Sequence, residues 1–194
     1  MNVVFDTNIL STFAKINRLD LLVKLFDKQK LLIPTMVFKE LQDSKQEFTQ
    51  TVLDNKSFEK VNSTKEEKDL ILSLRTRLGI GEKECIAICK NRSYIFVTND
   101  EIAIKEAEKQ GIEWLNLEII LTALKQEKII NEKELEKLIE RNRNKRQNKD
   151  KKQRRFYRLT LIQSCLVASI RNSGVKISVV CCGGCPNLAF FNVC

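Results

Sequence analysis

The sequence contains no histidine and few glycines, and these absences exclude several kinds of active site. Without histidine there is no Ser-His-Asp triad, no cysteine nucleophile paired with histidine and no HExxH zinc site. The six glycines form neither GxGxxG nor GxxxxGK, so the sequence has no glycine-rich phosphate-binding loop. If the protein is an enzyme, its chemistry therefore has to come from carboxylates, lysines, cysteines or a metal ion.

Long apolar segments are also absent. No run of about 18 apolar residues occurs, so we expect no membrane span and no membrane partner. The N-terminus reaches Asp6 too early to resemble a signal peptide, which favours a cytoplasmic protein without a disulfide framework. Cys85 and Cys89 lie one helical turn apart among apolar residues, and we expect both in the core.

Basic charge is concentrated in one segment. Residues 141–158 hold ten Lys and Arg and one Asp, whereas residues 1–140 hold 22 Lys and Arg and 24 Asp and Glu. So dense a basic segment attracts polyanions by counterion release, although it could also serve only as a solubilising tail. We expect it to contact RNA. The residues expected to make these contacts are Lys145, Arg146, Lys151, Lys152, Arg154 and Arg155.

Composition divides the chain into three segments. Residues 1–140 have the length and periodicity of one compact domain. Residues 141–158 are a basic low-complexity linker or tail, either disordered or a frayed extension of the last helix. Residues 159–194 are an unassigned cysteine-rich extension, in which a four-cysteine zinc site is an alternative but no paired CxxC motif exists. The cysteines of this extension are Cys165, Cys181, Cys182, Cys185 and Cys194.

Short apolar runs alternate with helical patterns in the first segment. The runs at residues 3–5, 31–33, 94–97 and 113–115 predict strands, and residues 58–61 a loop or an edge strand. Strands separated by helices imply right-handed crossovers and a parallel sheet covered on both faces. The fold class is therefore α/β, with a short central parallel sheet that binds ligands beyond the carboxyl ends of its strands.

Three local signals mark where helices begin. Thr35 follows Pro34 and is expected to cap the next helix. Thr64 and Glu67 have the spacing of a capping box for a helix that reaches about residue 77. Residues 78–81 are expected to form a turn, after which Glu82 opens the following helix.

Four acidic residues occupy positions that can meet at the carboxyl edge of this sheet. Asp6 ends the first strand and Asp100 follows the strand at residues 94–97. Glu40 lies one turn into a helix after the second strand, and Glu82 lies at a helix N-terminus. Clustered carboxylates repel one another unless they are protonated or bind a cation. With no imidazole in the chain, the expected cation is Mg²⁺ or Mn²⁺, which supports hydrolysis of phosphodiesters.

Each acid also has a purely structural alternative. Asp6 and Asp100 have the positions of helix caps or turn residues. Glu40 would serve as a solvated helix acid, and Glu82 would complement a helix dipole. Glu84 is a second candidate for the third acidic position, and spacing alone does not choose between it and Glu82.

Four segments of the chain resemble, in order, the motifs of PIN domains. The first is a hydrophobic strand followed by Asp-Thr-Asn, and the second is a strand and Pro that lead to a helix with a Glu. The third is a turn and an acid before an apolar helix that contains alanine, and the fourth is a strand with Thr-x-Asp. The four segments are VVFDTNIL, LIPTMVFKEL, LGIGEKECIAICKN and YIFVTNDEIAIKEAEKQGIEWL, and the resemblance covers residues 2 to about 139.

The resemblance implies a three-layer α/β/α fold and a ribonuclease site that depends on Mg²⁺ or Mn²⁺. The four acids of the family match Asp6, Glu40, Glu82 and Asp100, and counting back from residues 86–87 favours Glu82 over Glu84. A Glu stands at the third position where many relatives have Asp. The residues implied to support the site are Asn8, Thr98 and Asn99.

The chain looks most like stand-alone prokaryotic members of the family, which include toxin nucleases of the VapBC type. The resemblance therefore implies an endoribonuclease that leaves 5′-phosphate and 3′-hydroxyl ends. An antitoxin protein and a homodimer are the further partners that it suggests. The alternative is a non-catalytic RNA-binding module with the same fold. A phosphatase is disfavoured because Asn8 replaces the second acid of the Asp-x-Asp nucleophile pair.

Overall fold

The computed structural model of the protein describes residues 1–74 and 77–146, without side-chain detail for residues 139 and 141–146. Within these ranges, short strands alternate with helices along the chain, as the apolar runs predict. The strands are β1 (Val3–Phe5), β2 (Leu31–Pro34), β3 (Phe58–Val61), β4 (Ile95–Val97) and β5 (Trp114–Leu115). The helices are α1 (Thr7–Lys15), α2 (Leu19–Leu25), α3 (Thr35–Asp43), α4 (Glu47–Leu53), α5 (Lys65–Ser73), α6 (Ile80–Arg92), α7 (Glu101–Lys109), α8 (Leu117–Gln126) and α9 (Glu132–Arg146).

The five strands form one parallel sheet in the order β3-β2-β1-β4-β5, and helices flank it. This confirms the predicted fold class. The ambiguous segment at residues 58–61 is an edge strand, half-buried or exposed along its length, whereas β1, β2 and β4 are buried. Crossover helices cover the central strands on both faces, which explains why their sequences are apolar without alternation.

The sheet has a topological switch point between β1 and β4. From β1 the chain builds outward through β2 and β3 in one direction and through β4 and β5 in the other. Phe5 pairs with Val97, and the Asp6 amide donates to the Val97 carbonyl at 3.0 Å. The residues that follow β1 and β4 therefore lie side by side at the carboxyl edge, where parallel sheets form their ligand-binding crevices.

The hydrophobic core surrounds the central strands. The Phe5 ring packs edge-on against Phe26 and Phe58, with ring centroids 5.8 and 5.7 Å apart. Cys85 and Cys89 are buried in this core, as expected. Within the part of the chain that the structure describes, no helix is both long and apolar enough to cross a membrane.

The local signals at helix starts were only partly right. The capping box of Thr64 and Glu67 is present, although α5 ends at Ser73, earlier than predicted. Thr35 does not cap α3: it is the first helical residue, and its hydroxyl donates instead to the Asn62 side chain at 2.7 Å. The predicted turn is also shorter, because α6 begins at Ile80 and Glu82 is its third residue.

The last helix extends into the basic segment. Helix α9 runs to Arg146, so the backbone of Lys145 and Arg146, two of the predicted RNA contacts, is helical. The other predicted RNA contacts lie outside the described residues, as do residues 159–194 with their cysteines. These outer contacts are Lys151, Lys152, Arg154 and Arg155.

Ser93 and Gly111 are among the residues that adopt a left-handed backbone conformation where a helix ends, and comparing them gives a stability prediction. Ser93 follows α6 with φ 54°, and Gly111 follows α7 with φ 68°. This conformation strains a residue with a Cβ by roughly 1–2 kcal/mol, whereas glycine adopts it freely. A Cβ at Gly111 would meet no atom within 4 Å, so strain there would come from the backbone alone.

We expect Gly111→Ala to lower the free energy of unfolding by about 1–2 kcal/mol. Ser93→Gly should raise it by about 0.5 kcal/mol, because relief of strain exceeds the added entropy of the unfolded chain. Urea denaturation of the two variants and the wild type measures both changes. A Ser93→Gly protein that is less stable than the wild type would contradict the assigned backbone conformation.

Candidate active site

Asp6 is the most buried acid at the carboxyl edge, with 4% of its surface exposed. Its Oδ1 accepts a hydrogen bond from the Thr7 amide at 2.7 Å, and its Oδ2 accepts one from the Thr98 hydroxyl at 2.9 Å. Burial is the largest cause that raises the pKa of Asp6, and together with the negative charges of Glu82 and Glu40 it brings this pKa to about 7 against the lowering effect of these hydrogen bonds. A carboxyl group in this state exchanges its proton near neutral pH.

Thr98 joins the loops that carry Asp6 and Asp100. Its side chain is fully buried, and its hydroxyl donates to Asp6 while it accepts from the Asp100 amide at 3.2 Å. The hydroxyl has a single proton, so the bond to Asp6 fixes its direction and leaves its lone pairs for the amide. Thr98, which the resemblance implies as a supporting residue, thus contacts both Asp6 and Asp100.

Asp100 caps helix α7 and still presents an oxygen. Its Oδ1 accepts from the amides of Ile102 and Ala103, at 2.8 and 2.9 Å. Within residues 1–74 and 77–146, no hydrogen bond reaches its Oδ2. Asp6 likewise caps helix α1. Asp6 and Asp100 are therefore both helix caps, as the structural alternative predicts. This capping role is compatible with a second role at the site.

Glu40 is positioned by two features that were not singled out as site residues. The Thr7 hydroxyl donates to its Oε2, in a short hydrogen bond. On its other side lies Gly81: a Cβ at that position would stand 2.6 Å from Glu40 Oε1 and 3.0 Å from its carboxyl carbon. Both residues lie within the family motifs, but the contacts that each makes depend on how α1, α3 and α6 pack.

The structure separates Glu82 from Glu84. Glu82 is partly exposed, and its Oε2 accepts from the Gly79 amide at 2.9 Å. Burial raises the pKa of Glu82, and the charges of Asp100 and Glu40 add to this effect. Glu84 is 4% exposed and points toward Met36 and Ser63. Of the two alternatives, Glu82 is the residue that lies beside the other three acids.

Asn8 and Asn99 form a connection at the rim of this cluster. Asn8 is exposed in the first turn of α1, and its side-chain oxygen accepts from the Asn99 amide at 3.3 Å. This bond ties the start of α1 to the loop between β4 and α7. It reinforces the connection that Thr98 makes deeper in the site.

The four carboxylates lie close enough together at the carboxyl edge to affect one another's charge. In the described part of the chain, none of them forms a salt bridge with Lys or Arg. Their oxygen ligands match the preference of Mg²⁺ and Mn²⁺. Among the same residues, however, no group of three or more Asp, Glu, Cys or His side chains converges closely enough to hold one metal ion. All four carboxylates instead accept local hydrogen bonds: Asp6 and Asp100 from the residues described above, Glu82 from Gly79 and Glu40 from Thr7.

Comparison with known proteins places the chain in a family. No curated protein matches it significantly. A solved structure of VapBC2 from Rickettsia felis, bound to a DNA fragment from their promoter, is similar over 60% of this chain and 98% of its own, with 19% identity and a TM-score of 0.48. That likeness is too weak to carry a functional conclusion. The family model for the PIN domain matches residues 2–153, further than the four motifs reach. The chain therefore belongs to the PIN-domain family, whose members are generally nucleases that use divalent metal ions.

Proposed function

We propose that the protein is an endoribonuclease that depends on Mg²⁺ or Mn²⁺ and hydrolyses RNA phosphodiester bonds at the carboxylate cluster. One observation carries the proposal: Asp6 is buried at the switch point beside the charges of Glu40 and Glu82, with no cationic side chain paired to it among the described residues. An arrangement of this kind is unfavourable without a bound cation, and the cation it favours is the one that phosphodiester hydrolysis requires.

Each acid has a place in this proposal. Asp6 and Asp100, at the ends of neighbouring strands, would hold the principal metal ion, with Glu40 and Glu82 completing its surroundings or orienting the attacking water. A divalent ion bound there supplies charge stabilisation for the phosphate and activates water at neutral pH. Thr98 keeps Asp6 oriented through its hydroxyl, and Asn8 and Asn99 hold the two loops together.

RNA is the proposed substrate because the family is generally nucleolytic and the chain carries a basic segment. Residues 1–140 are slightly acidic, so the folded domain alone attracts a polyanion weakly. Residues 141–158 supply the positive charge that it lacks. Attack by water leaves a 5′-phosphate and a 3′-hydroxyl, since the 2′-hydroxyl takes no part.

Replacement of one acid tests the site. Asp6→Asn keeps the size of the side chain and removes its charge. Cleavage of labelled RNA with Mn²⁺ should therefore fall at least roughly 100-fold, which exceeds the usual loss when a residue that only supports a metal ligand is replaced. The melting temperature in EDTA should be unchanged or higher, because repulsion is relieved. The matched control is Asp69→Asn on the exposed face of α5, which should cleave like the wild type. Wild-type cleavage by Asp6→Asn would overturn the proposed site.

The raised pKa of Asp6 predicts a pH-dependent stability in metal-free buffer. The folded carboxyl group has a pKa of about 7, whereas an unfolded Asp has one of about 3.9. Between these values the folded protein binds more protons than the unfolded chain, so the contribution to stability is complete at acid pH and is lost as the pH rises through about 7.

Urea denaturation in EDTA at pH 5, 6, 7 and 8 measures this effect. The free energy of unfolding of the wild type, relative to Asp6→Asn, should fall across the series by up to about 1.4 kcal/mol per pH unit. The other titrating groups are present in both proteins, so the difference reports Asp6 together with its coupling to Glu40 and Glu82. Parallel curves for the two proteins would show that Asp6 titrates at its ordinary pKa.

Charge neutralisation tests the basic segment. Changing four of its residues to Gln should weaken RNA binding and flatten its salt dependence, by about 0.7 in the log–log slope for each RNA phosphate that the segment no longer neutralises. The four residues are Lys151, Lys152, Arg154 and Arg155. RNA cleavage at saturating substrate should be retained, because no proposed ligand is removed.

The matched control removes four charges at the opposite edge of the sheet, near the starts of strands. The control variant changes the exposed residues Lys24, Lys28, Lys56 and Lys109 to Gln. Fluorescence anisotropy in calcium-containing buffer at several salt concentrations compares the two variants with the wild type. If both variants lose affinity equally, the effect is one of net charge and the segment is only a solubilising tail.

A further inference from the structure

We propose that Glu84 is a positioning residue, which anchors the first turn of helix α3 to helix α6 and thereby fixes Glu40 within the carboxylate cluster. This inference rests on the proposed function and adds a residue to it. Glu84 is 4% exposed, and each of its oxygens accepts a hydrogen bond: Oε2 from the Met36 amide at 2.6 Å, and Oε1 from the Ser63 hydroxyl.

Glu84 acts as a helix cap supplied from a different helix. The N-cap residue of α3 is Pro34, which has no side chain to accept a hydrogen bond from the first turn. The hydroxyl of Thr35, the first helical residue, donates to the loop after β3. The Met36 amide therefore needs an acceptor from elsewhere, and the Glu84 carboxylate provides it.

The same turn of α6 also sets how closely α3 approaches. Gly81 and Glu84 are three residues apart, so they lie on one face of the helix. Gly81 leaves room for the Glu40 carboxylate, which a Cβ there would meet at 2.6 Å. Glu84 holds the N-terminal end of α3, and Gly81 admits Glu40 one turn further along. Glu82, between them in sequence, belongs to the carboxylate cluster itself.

This role requires hydrogen-bond acceptance rather than charge. The side chain of Glu84 forms no salt bridge within the described ranges, and its partners are a backbone amide and a hydroxyl. A glutamine can accept from the amide with its oxygen and donate to the hydroxyl with its nitrogen, since a hydroxyl serves in either direction. Alanine can do neither. If Glu84 were a metal ligand, Glu84→Gln would also weaken Mn²⁺ binding, because glutamine is a much weaker ligand than glutamate for Mn²⁺.

The test compares Glu84→Gln and Glu84→Ala in the full-length protein, with Glu82→Gln as the variant of a proposed ligand. Asn131→Ala is the matched control, because it removes a helix cap, at α9, that makes no contact with the cluster residues. Titration calorimetry measures Mn²⁺ affinity, and hydrogen exchange in EDTA measures protection of the amides of α3.

We expect Glu84→Ala to weaken Mn²⁺ binding roughly 10- to 100-fold, the range found for residues that orient metal ligands. It should also speed exchange at Met36, while Glu84→Gln stays close to the wild type in both measurements. Glu82→Gln should lose Mn²⁺ affinity without faster exchange in α3. Asn131→Ala should lower the melting temperature and leave Mn²⁺ affinity unchanged.

Two results would overturn the inference. If Glu84→Gln loses Mn²⁺ affinity as severely as Glu84→Ala, the charge matters and Glu84 is a ligand. If Glu84→Ala retains both wild-type affinity and wild-type exchange at Met36, Glu84 positions nothing. A wild-type protein that binds no Mn²⁺ would overturn the proposed function alone, and faster exchange of α3 in Glu84→Ala would still support the anchor.

Discussion

The hydrogen bond from Thr98 to Asp6 is the interaction on which the arrangement of the site depends. It forms because Phe5 and Val97 pair in the sheet, which places the residues that follow β1 and β4 next to each other. The same hydroxyl accepts from the Asp100 amide, so one buried side chain fixes the relation between two acidic positions. The sheet register is in turn fixed by apolar packing on both faces. The geometry of the acids is therefore a consequence of the hydrophobic core.

Crowding of negative charge is the second constraint, and it opposes stability. Burial and neighbouring carboxylates raise the pKa of Asp6 to about 7, and Glu82 is shifted in the same direction. The fold tolerates these acids through hydrogen bonds to their oxygens from Thr7, Thr98 and Gly79. Such bonds compensate only part of the loss of hydration, because they leave the carboxylates without a counter-charge. The cation that we propose to bind here would supply that charge.

The sequence predicts the sheet well and the packing between helices poorly, for physical reasons. Strand positions follow from apolar runs, and the carboxyl-edge location of Asp6 and Asp100 follows from parallel topology alone. The failed prediction for Thr35 has a different cause: a hydroxyl beside a helix start has several possible partners, and the adjacent edge strand decided among them. Spacing alone leaves Glu82 and Glu84 equivalent, and only the resemblance to the family motif favours Glu82 from the sequence. Two glutamates separated by one residue point in different directions from a helix, and spacing does not reveal which direction faces the site.

Helix α6 combines these requirements within a single turn. Gly81 has no side chain, which leaves room for the Glu40 carboxylate. Glu82 reaches the carboxylate cluster. Glu84 accepts a hydrogen bond from the Met36 amide in the first turn of α3. Replacing any one of them changes a different property: the space between helices, the charge of the site or the anchorage of α3. Because these properties are separable, substitutions in this short stretch distinguish the proposed cation ligand from the proposed positioning residue. The two neighbouring glutamates, indistinguishable by composition, thereby acquire different physical roles from the direction in which each leaves the helix.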